Sequence, residues 1–264
     1  MFINTFYSHS FIQNKLQLDR LADAVNVIIS LWNKGSGGWA TYELTRTGPF
    51  IEYFNPSALY GNIMIDYPYV ECTSACIQAL CDFRRDFPTH PRSTEIDLII
   101  ARAAAFLKGE QKKSGGFYGS WGVCFCYGTW FGITGLLAAG ERNDCAEIRR
   151  ACEFLKRNQM ADGGWGESYL SCVKHEYVSS TRSQVINTAW SLLGLMAADE
   201  PDRSVIDRGI QLLLRRQLPN GDFPQENISG VFNHNCMITY TNYRNIFPIW
   251  ALGVYTTKYL LNKQ

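Results

Sequence analysis

The sequence lacks the features that would assign it to several large functional classes. No apolar run approaches the roughly 20 residues that a spanning helix needs. Of 264 residues only 19% are charged, and the net charge is +1, so no electrostatic footprint for nucleic acid exists. Like charges come as short pairs, among them Arg84-Arg85, Lys112-Lys113, Arg149-Arg150 and Arg215-Arg216, which read as solvated helix faces. Nine cysteines are present but no Cys-x-x-Cys pair, and Cys124 and Cys126 have no partner motif for zinc. Met1–Ile12 does not read as a signal peptide. Reduced, mostly buried cysteines in an intracellular protein are therefore expected, and the sequon at Asn227-Ile-Ser carries no weight. The four histidines, His9, His90, His175 and His234, show no ligand spacing.

What is present is a repeat. A basic amphipathic helix, a polar linker and Gly-x-aromatic recur: Arg102-Ala-Ala-Ala-Phe-Leu, Gln111, Gly115 and Phe117; Arg150-Ala-Cys-Glu-Phe-Leu, Gln159, Gly163 and Trp165; Arg208-Gly-Ile-Gln-Leu-Leu, Gln217, Gly221 and Phe223. A first copy is degenerate, with Trp32 near the Gln position before Gly37-Gly38-Trp39 and an extra residue around Lys34–Ser36. The pattern is structural in kind. Glycine supplies the left-handed turn that ends a helix, the aromatic is an apolar anchor, and the Gln amide can tie one helix end to the next.

Between these helices lie others of a second kind. Helices with one charged face are expected near 17–32, 95–112, 145–160 and 203–217, and smaller, more apolar ones near 70–86, 125–140, 184–199 and 244–260. Alternation of the two kinds predicts concentric layers, an all-α α/α barrel or toroid of outer and inner helices. Four pairs are fewer than a closed double barrel takes, so the barrel is expected to be incomplete. Segments 40–69, 166–183 and 224–243 are expected to be long loops rich in Tyr, Asn, Ser and Thr, the kind that usually carries function.

Several long blocks, in order, give the chain a family resemblance: Gly38-Trp-Ala-Thr-Tyr-Glu43, Asp66-Tyr-Pro-Tyr-Val-Glu-Cys-Thr-Ser-Ala75, Gly119-Ser-Trp-Gly-Val-Cys124, Tyr127-Gly-Thr-Trp-Phe-Gly132, Gly163-Gly-Trp-Gly-Glu-Ser168, Asn220-Gly-Asp-Phe-Pro-Gln-Glu226 and Tyr243-Arg-Asn-Ile-Phe-Pro-Ile-Trp-Ala-Leu252. From about Leu18 to Leu252 it resembles the oxidosqualene cyclases, the triterpene synthases that make lanosterol, cycloartenol and related skeletons. Glu43-Leu-Thr-Arg and Asn235-Cys-Met-Ile-Thr-Tyr240 look closer to the plant-type members. In that family the repeat is the QW motif. The resemblance divides the chain into a non-matching segment, 1–16, and a C-terminal barrel domain, 17–264.

The resemblance implies that a linear epoxide is protonated and folds through carbocations, which the cavity stabilises without trapping them. Aromatic faces do this, each contributing roughly 0.5–2 kcal/mol when desolvated. Carried over block by block, the cavity residues are Tyr42, Trp121, Tyr127, Phe232, Tyr240 and Tyr243, with Trp121, Tyr127 and Phe232 as cation–π contacts. Cys72 matches a cysteine that hydrogen-bonds the proton-donating acid. Cys76, one turn on, reads as a small buried residue. Cys126 departs from the family, which has Thr there.

The acid itself, the Asp of an Asp-Cys-Thr-Ala-Glu motif, is missing. It should precede Leu18, and Met1–Gln17 holds no carboxylate. Asp144-Cys-Ala-Glu147 lacks the Thr and reads as a helix N-cap with a surface acid. The family's N-terminal half is absent with it. The resemblance thus implies oxidosqualene as a small lipophilic substrate, no cofactor, no metal and no nucleic-acid partner. It also implies endoplasmic reticulum or lipid-droplet surfaces, reached only through the missing half; otherwise the chain would be cytoplasmic. Two other readings stay open: a non-catalytic helical scaffold that kept the repeats, and a zinc-dependent prenyltransferase β-subunit, which would need an Asp/Cys/His ligand set.

Overall fold

A computed structural model describes residues 18–232 and 235–261. It is mostly helical. Helices α1 (Leu18–Ser30), α3 (Ser93–Glu110), α5 (Ala146–Arg157) and α8 (Arg203–Arg216) are the amphipathic kind. In α5 the buried side chains are Ile148, Ala151, Cys152, Phe154 and Leu155, one stripe at helical spacing. Helices α2 (Val70–Asp86), α4 (Phe125–Ala138), α7 (Val185–Ala197) and α9 (Thr241–Tyr255) are the second kind, and in α7 every residue from Val185 to Met196 is buried. A short helix, α6 (Leu170–Lys174), lies between α5 and α7.

Packing follows that division. The second kind pack on one another in succession, α2 on α4, α4 on α7 and α7 on α9. The amphipathic helices cover them: α3 lies on α2 and α4, α5 on α4 and α7, and α8 on α7 and α9. No helix among the described residues is long and apolar enough to cross a membrane.

Two departures from the expected all-α chain fall in the segments read as loops. Strand β1 (Trp165–Glu167) pairs antiparallel with β2 (Ser179–Gln184), and β3 (Gly230–Phe232) with β4 (Cys236–Ile238). These ribbons let buried loop backbone satisfy its own hydrogen bonds, a demand that helical periodicity does not reveal. Helix α9 also begins at Thr241, three residues before the expected start at 244, and Pro248 sits inside it.

The repeat residues form one contact pattern. Gln111 Nε2 donates to Gly115 O at 2.8 Å and to Glu147 O, in the first turn of α5, at 2.8 Å. Gln159 Nε2 does the same with Gly163 O and Val205 O, both at 2.8 Å. In the degenerate copy the indole replaces the amide, and Trp32 Nε1 donates to Gly37 O at 2.8 Å. The aromatics are buried, and the backbone N–H of Trp39, Phe117 and Trp165 donates to Thr73, Thr129 and Thr188 Oγ1 respectively, each at 3.0 Å. The second and third repeats are thus tied both to the next outer helix and to the following inner one, and the first to the inner helix α2.

Candidate functional site

Helix α4 begins where Tyr127 can be buried. Its N-cap, Cys124, supplies no side-chain acceptor. The Glu167 carboxylate supplies it instead, accepting from the N–H groups of Cys124, Phe125 and Cys126 at 3.1, 2.9 and 3.0 Å. Tyr127, two residues past Phe125, lies with its ring centre 4.9 Å from Trp190 on α7 and 5.0 Å from Phe131.

Helix α9 brings the next rings. Tyr243 lies 5.6 Å from Trp190, 5.3 Å from Phe247 and 4.8 Å from Tyr240. A second group forms around the loop before α4, where Trp121 is edge-on to Phe232 of β3 at 5.1 Å and to Tyr69 at 5.8 Å. Tyr60 closes on Phe232 at 5.5 Å. The two groups are joined by the Tyr243 hydroxyl, which donates to Trp121 O at 3.4 Å.

Five of the six predicted rings are therefore neighbours. Tyr42 is not among them: it is 71% exposed, held through its backbone N–H by Asp66 Oδ2 at 2.5 Å. Tyr240 is also 41% exposed. Cys72 stands in the first turn of α2, where burial and the neighbouring Glu71 charge push its thiol up to about 12. Burial does the same for Cys76, to about 12. Cys126, which replaces the family's Thr, is fully buried beside Asn187, Ser191 and Glu167.

Sequence reasoning missed Glu71. It is fully buried, and its Oε1 accepts from the backbone N–H of Ser120 at 2.5 Å and of Trp121 at 3.1 Å. Its Oε2 has no partner among the described residues. Burial pushes the carboxyl up to about 7, against the pull of its backbone donors. Glu71 lies inside one of the family-like blocks, but nothing local marks an acid whose partners are 49 and 50 residues away.

Asp144 is not a helix cap. Cys145 holds the N-cap position of α5, and Asp144 instead pairs with Arg142 at 2.6 Å on the surface. No group of three or more His, Cys, Asp or Glu that could hold a metal occurs among the described residues. His90 sits edge-on to Phe83 at 5.1 Å and His175 stacks on Tyr118 at 4.7 Å, while His9 and His234 lie outside the described residues. Surface clefts of about 800 and 790 Å³ occur beside Trp32 and Arg92 and between Lys113 and Glu200, and none of the six rings lines either.

A two-layer helical fold with a cluster of packed aromatic rings is the architecture of a terpene-cyclase-like domain. A solved ent-copalyl diphosphate synthase from Streptomyces platensis shares that fold, with a TM-score of 0.61 over 84% of this chain and 36% of that one, at 17% identity. The family model for the squalene-hopene cyclase C-terminal domain matches residues 6–257, and the chain belongs to that family, which takes in the oxidosqualene cyclases. It is 57% identical to cycloartenol synthase of Dictyostelium discoideum over 94% of this chain and 35% of that protein. It is 51% identical to human lanosterol synthase over 91% of this chain and 33% of that one. The chain thus spans about a third of the length of the curated relatives it matches.

Proposed function

We propose that this chain is the cation-guiding part of an oxidosqualene cyclase, a triterpene synthase that closes (3S)-2,3-oxidosqualene to a sterol or triterpene alcohol. The observation that carries the reading is the joined ring cluster Trp121–Phe232 and Tyr127–Trp190–Tyr243. Each desolvated ring face stabilises a passing cation by about 0.5–2 kcal/mol, and carries no lone pair that would trap it. The phenols remain neutral there, because burial pushes Tyr127 well up and Tyr243 up to about 12. Cys72, up to about 12, likewise remains a thiol able to support an acid. Tyr42 and Tyr240 face the same cavity once it is complete.

The proton donor comes from outside residues 18–261, together with the helices that close the barrel of which the repeats are the QW motifs. Membrane or lipid-droplet association belongs to that same part. The product chemistry tests the reading. Incubated alone with the epoxide, the chain is expected to give no cyclic triterpene by mass spectrometry. Co-expressed with the rest of a relative such as the Dictyostelium synthase, it is expected to give one. Failure of the combined system would favour the second reading, a scaffold that kept the repeats without the chemistry.

A further inference from the structure

Three acids are buried among the described residues, Glu71, Glu167 and Glu200, and two of them are compensated. Glu200 pairs with Lys156 at 3.2 Å. Glu167 uses both oxygens on the N–H groups that open α4. Glu71 has neither a cation nor a full set of donors. Its Oε1 holds Ser120 and Trp121, and its Oε2 is buried without a partner among the described residues. A glutamine would accept the same two N–H groups with no charge to desolvate, so fastening the loop does not account for a carboxyl here.

The position of that carboxyl does account for it. Trp121 links Glu71 to both groups of rings. Its N–H donates to Glu71 Oε1, its ring is edge-on to Phe232 at 5.1 Å, and its carbonyl accepts from the Tyr243 hydroxyl at 3.4 Å. The charge of Glu71 also reaches the phenols of Tyr127 and Tyr243. The acid thus lies beside rings whose faces attract a cation, in a medium where a charge acts more strongly than in water. The other groups that feel it are Tyr69 and Cys72 around the start of α2 and Tyr118 in the loop before α4. Burial pushes all five up, so none is positive and none changes charge near neutral pH.

We propose that Glu71 is the fixed counter-charge of the ring cluster, and that carboxylate and rings together form a site for an organic monocation. The rings surround the positive charge, and the carboxylate neutralises it through space. The proposal rests on the cation-guiding reading above and adds to it a full negative charge, which ring faces alone do not supply. A positive charge arriving among the rings relieves the burial of an unpaired carboxylate, so each stabilises the other. Two backbone N–H groups hold the carboxyl in place before the cation arrives, so no reorganisation is needed then. Burial pushes Glu71 up to about 7, so the counter-charge appears as pH rises through neutrality.

Choline and 3,3-dimethylbutan-1-ol test this on the isolated chain, because they share a shape and differ by one positive charge. By NMR titration, choline binding is expected to tighten several-fold from about pH 6 to about pH 8, while binding of the neutral alcohol stays constant. Glu71→Gln keeps the acceptor for Ser120 and Trp121, and is expected to bind choline on the order of tenfold more weakly at about pH 8, with no pH dependence. Equal choline affinity in the two proteins would overturn the inference. So would a pH dependence shared by the alcohol, or a wild type that does not bind choline. The wild-type comparison of the two probes needs no variant, so it decides the matter even where Glu71→Gln does not fold. The co-expressed cyclase gives a second readout. There Glu71→Gln is expected to lower kcat on the order of tenfold with KM unchanged, and to remove the rise in kcat through about pH 7. A pH profile untouched by the substitution would overturn the inference. Absence of triterpene from the wild-type system would count against the proposed function alone, and the two probes would still decide the role of Glu71.

Discussion

The backbone N–H of Trp121 donates to Glu71 Oε1 at 3.1 Å, fastening the loop that carries one ring of the candidate site to the helix that carries Cys72. Ser120 donates to the same oxygen at 2.5 Å, while the other carboxyl oxygen is buried without a partner among the described residues. The titratable groups near Glu71 are Tyr69, Cys72, Tyr118, Tyr127 and Tyr243, and none is a cation. Fixing the loop this way costs burial of a carboxyl with no counter-charge.

That cost gives a pH dependence. In the unfolded chain Glu71 titrates near 4.5, and in the fold near 7, so the native state binds its proton more tightly. The stability it contributes is fully present below the unfolded value and is lost as pH rises through about 7. The difference corresponds to about 3 kcal/mol. Glu167 and Glu226 shift in the same direction, so the comparison is with Glu71→Gln, which keeps an acceptor for Ser120 and Trp121 and removes the charge. Urea unfolding at about pH 5 and pH 8 should show the wild type losing more stability than the variant, with the Glu71→Gln protein the more stable of the two at the higher pH. Parallel losses in the two proteins would rule out a raised carboxyl.

Two glycines with one backbone conformation separate strain from crowding. Gly163 and Gly221 both have positive φ, +94° and +87°. A methyl group at 163 would meet Arg208 O at 2.7 Å, whereas one at 221 would meet nothing. Gly221→Ala should cost only the left-handed penalty, about 1 kcal/mol. Gly163→Ala adds the displacement of α8 and should cost about 3 kcal/mol or more. Equal losses in chemical denaturation would mean that the outer helices do not approach each other as described.

Thiol chemistry tests the burial of the core. Cys124, Cys126 and Cys172 are fully buried, and Cys72, Cys76 and Cys152 are each pushed up to about 12 by burial. At pH 8 a thiol of that kind is only ~0.01% thiolate. Alkylation of the native protein, mapped by mass spectrometry, should label the half-exposed Cys236 and Cys145 long before these six. Early labelling of Cys124 or Cys126 would place the start of α4 at the surface.

Much of the scaffold was legible because it repeats. The expected second-kind helix at 70–86 coincides with α2, and the Gln–Gly–aromatic spacing marked the outer-helix ends, since each turn needs the same residue types. What stayed hidden depends on distant backbone. Glu71, Glu167 and Glu226 all use their carboxyl groups on N–H groups 41 to 50 residues away, and an acid doing that looks like any other in sequence. The two ribbons read as loops in sequence because three of their strands have only three residues and the fourth, β2, shows no in-out alternation. Tyr42 shows the converse: its block matched, yet the side chain is 71% exposed.

Glu167 gives the most direct test of how the ring cluster is held. Its carboxylate accepts three consecutive N–H groups at the start of α4, where the helix dipole favours a negative charge. Burial still raises its pKa, so the three bonds offset part of a real desolvation cost. Removing the group with Glu167→Ala leaves three buried donors without acceptors, at about 1–3 kcal/mol each before relaxation, so a net loss of about 3–5 kcal/mol is expected. Glu167→Gln keeps one accepting oxygen but turns an NH2 toward the same donors, and should fall between the two. Because Tyr127 is the residue after Cys126, the loss should also register as a weaker near-ultraviolet circular dichroism band at temperatures where the far-ultraviolet helix signal is unchanged. A Glu167→Ala protein with wild-type stability and an intact aromatic band would show that α4 holds Tyr127 against Trp190 by packing alone.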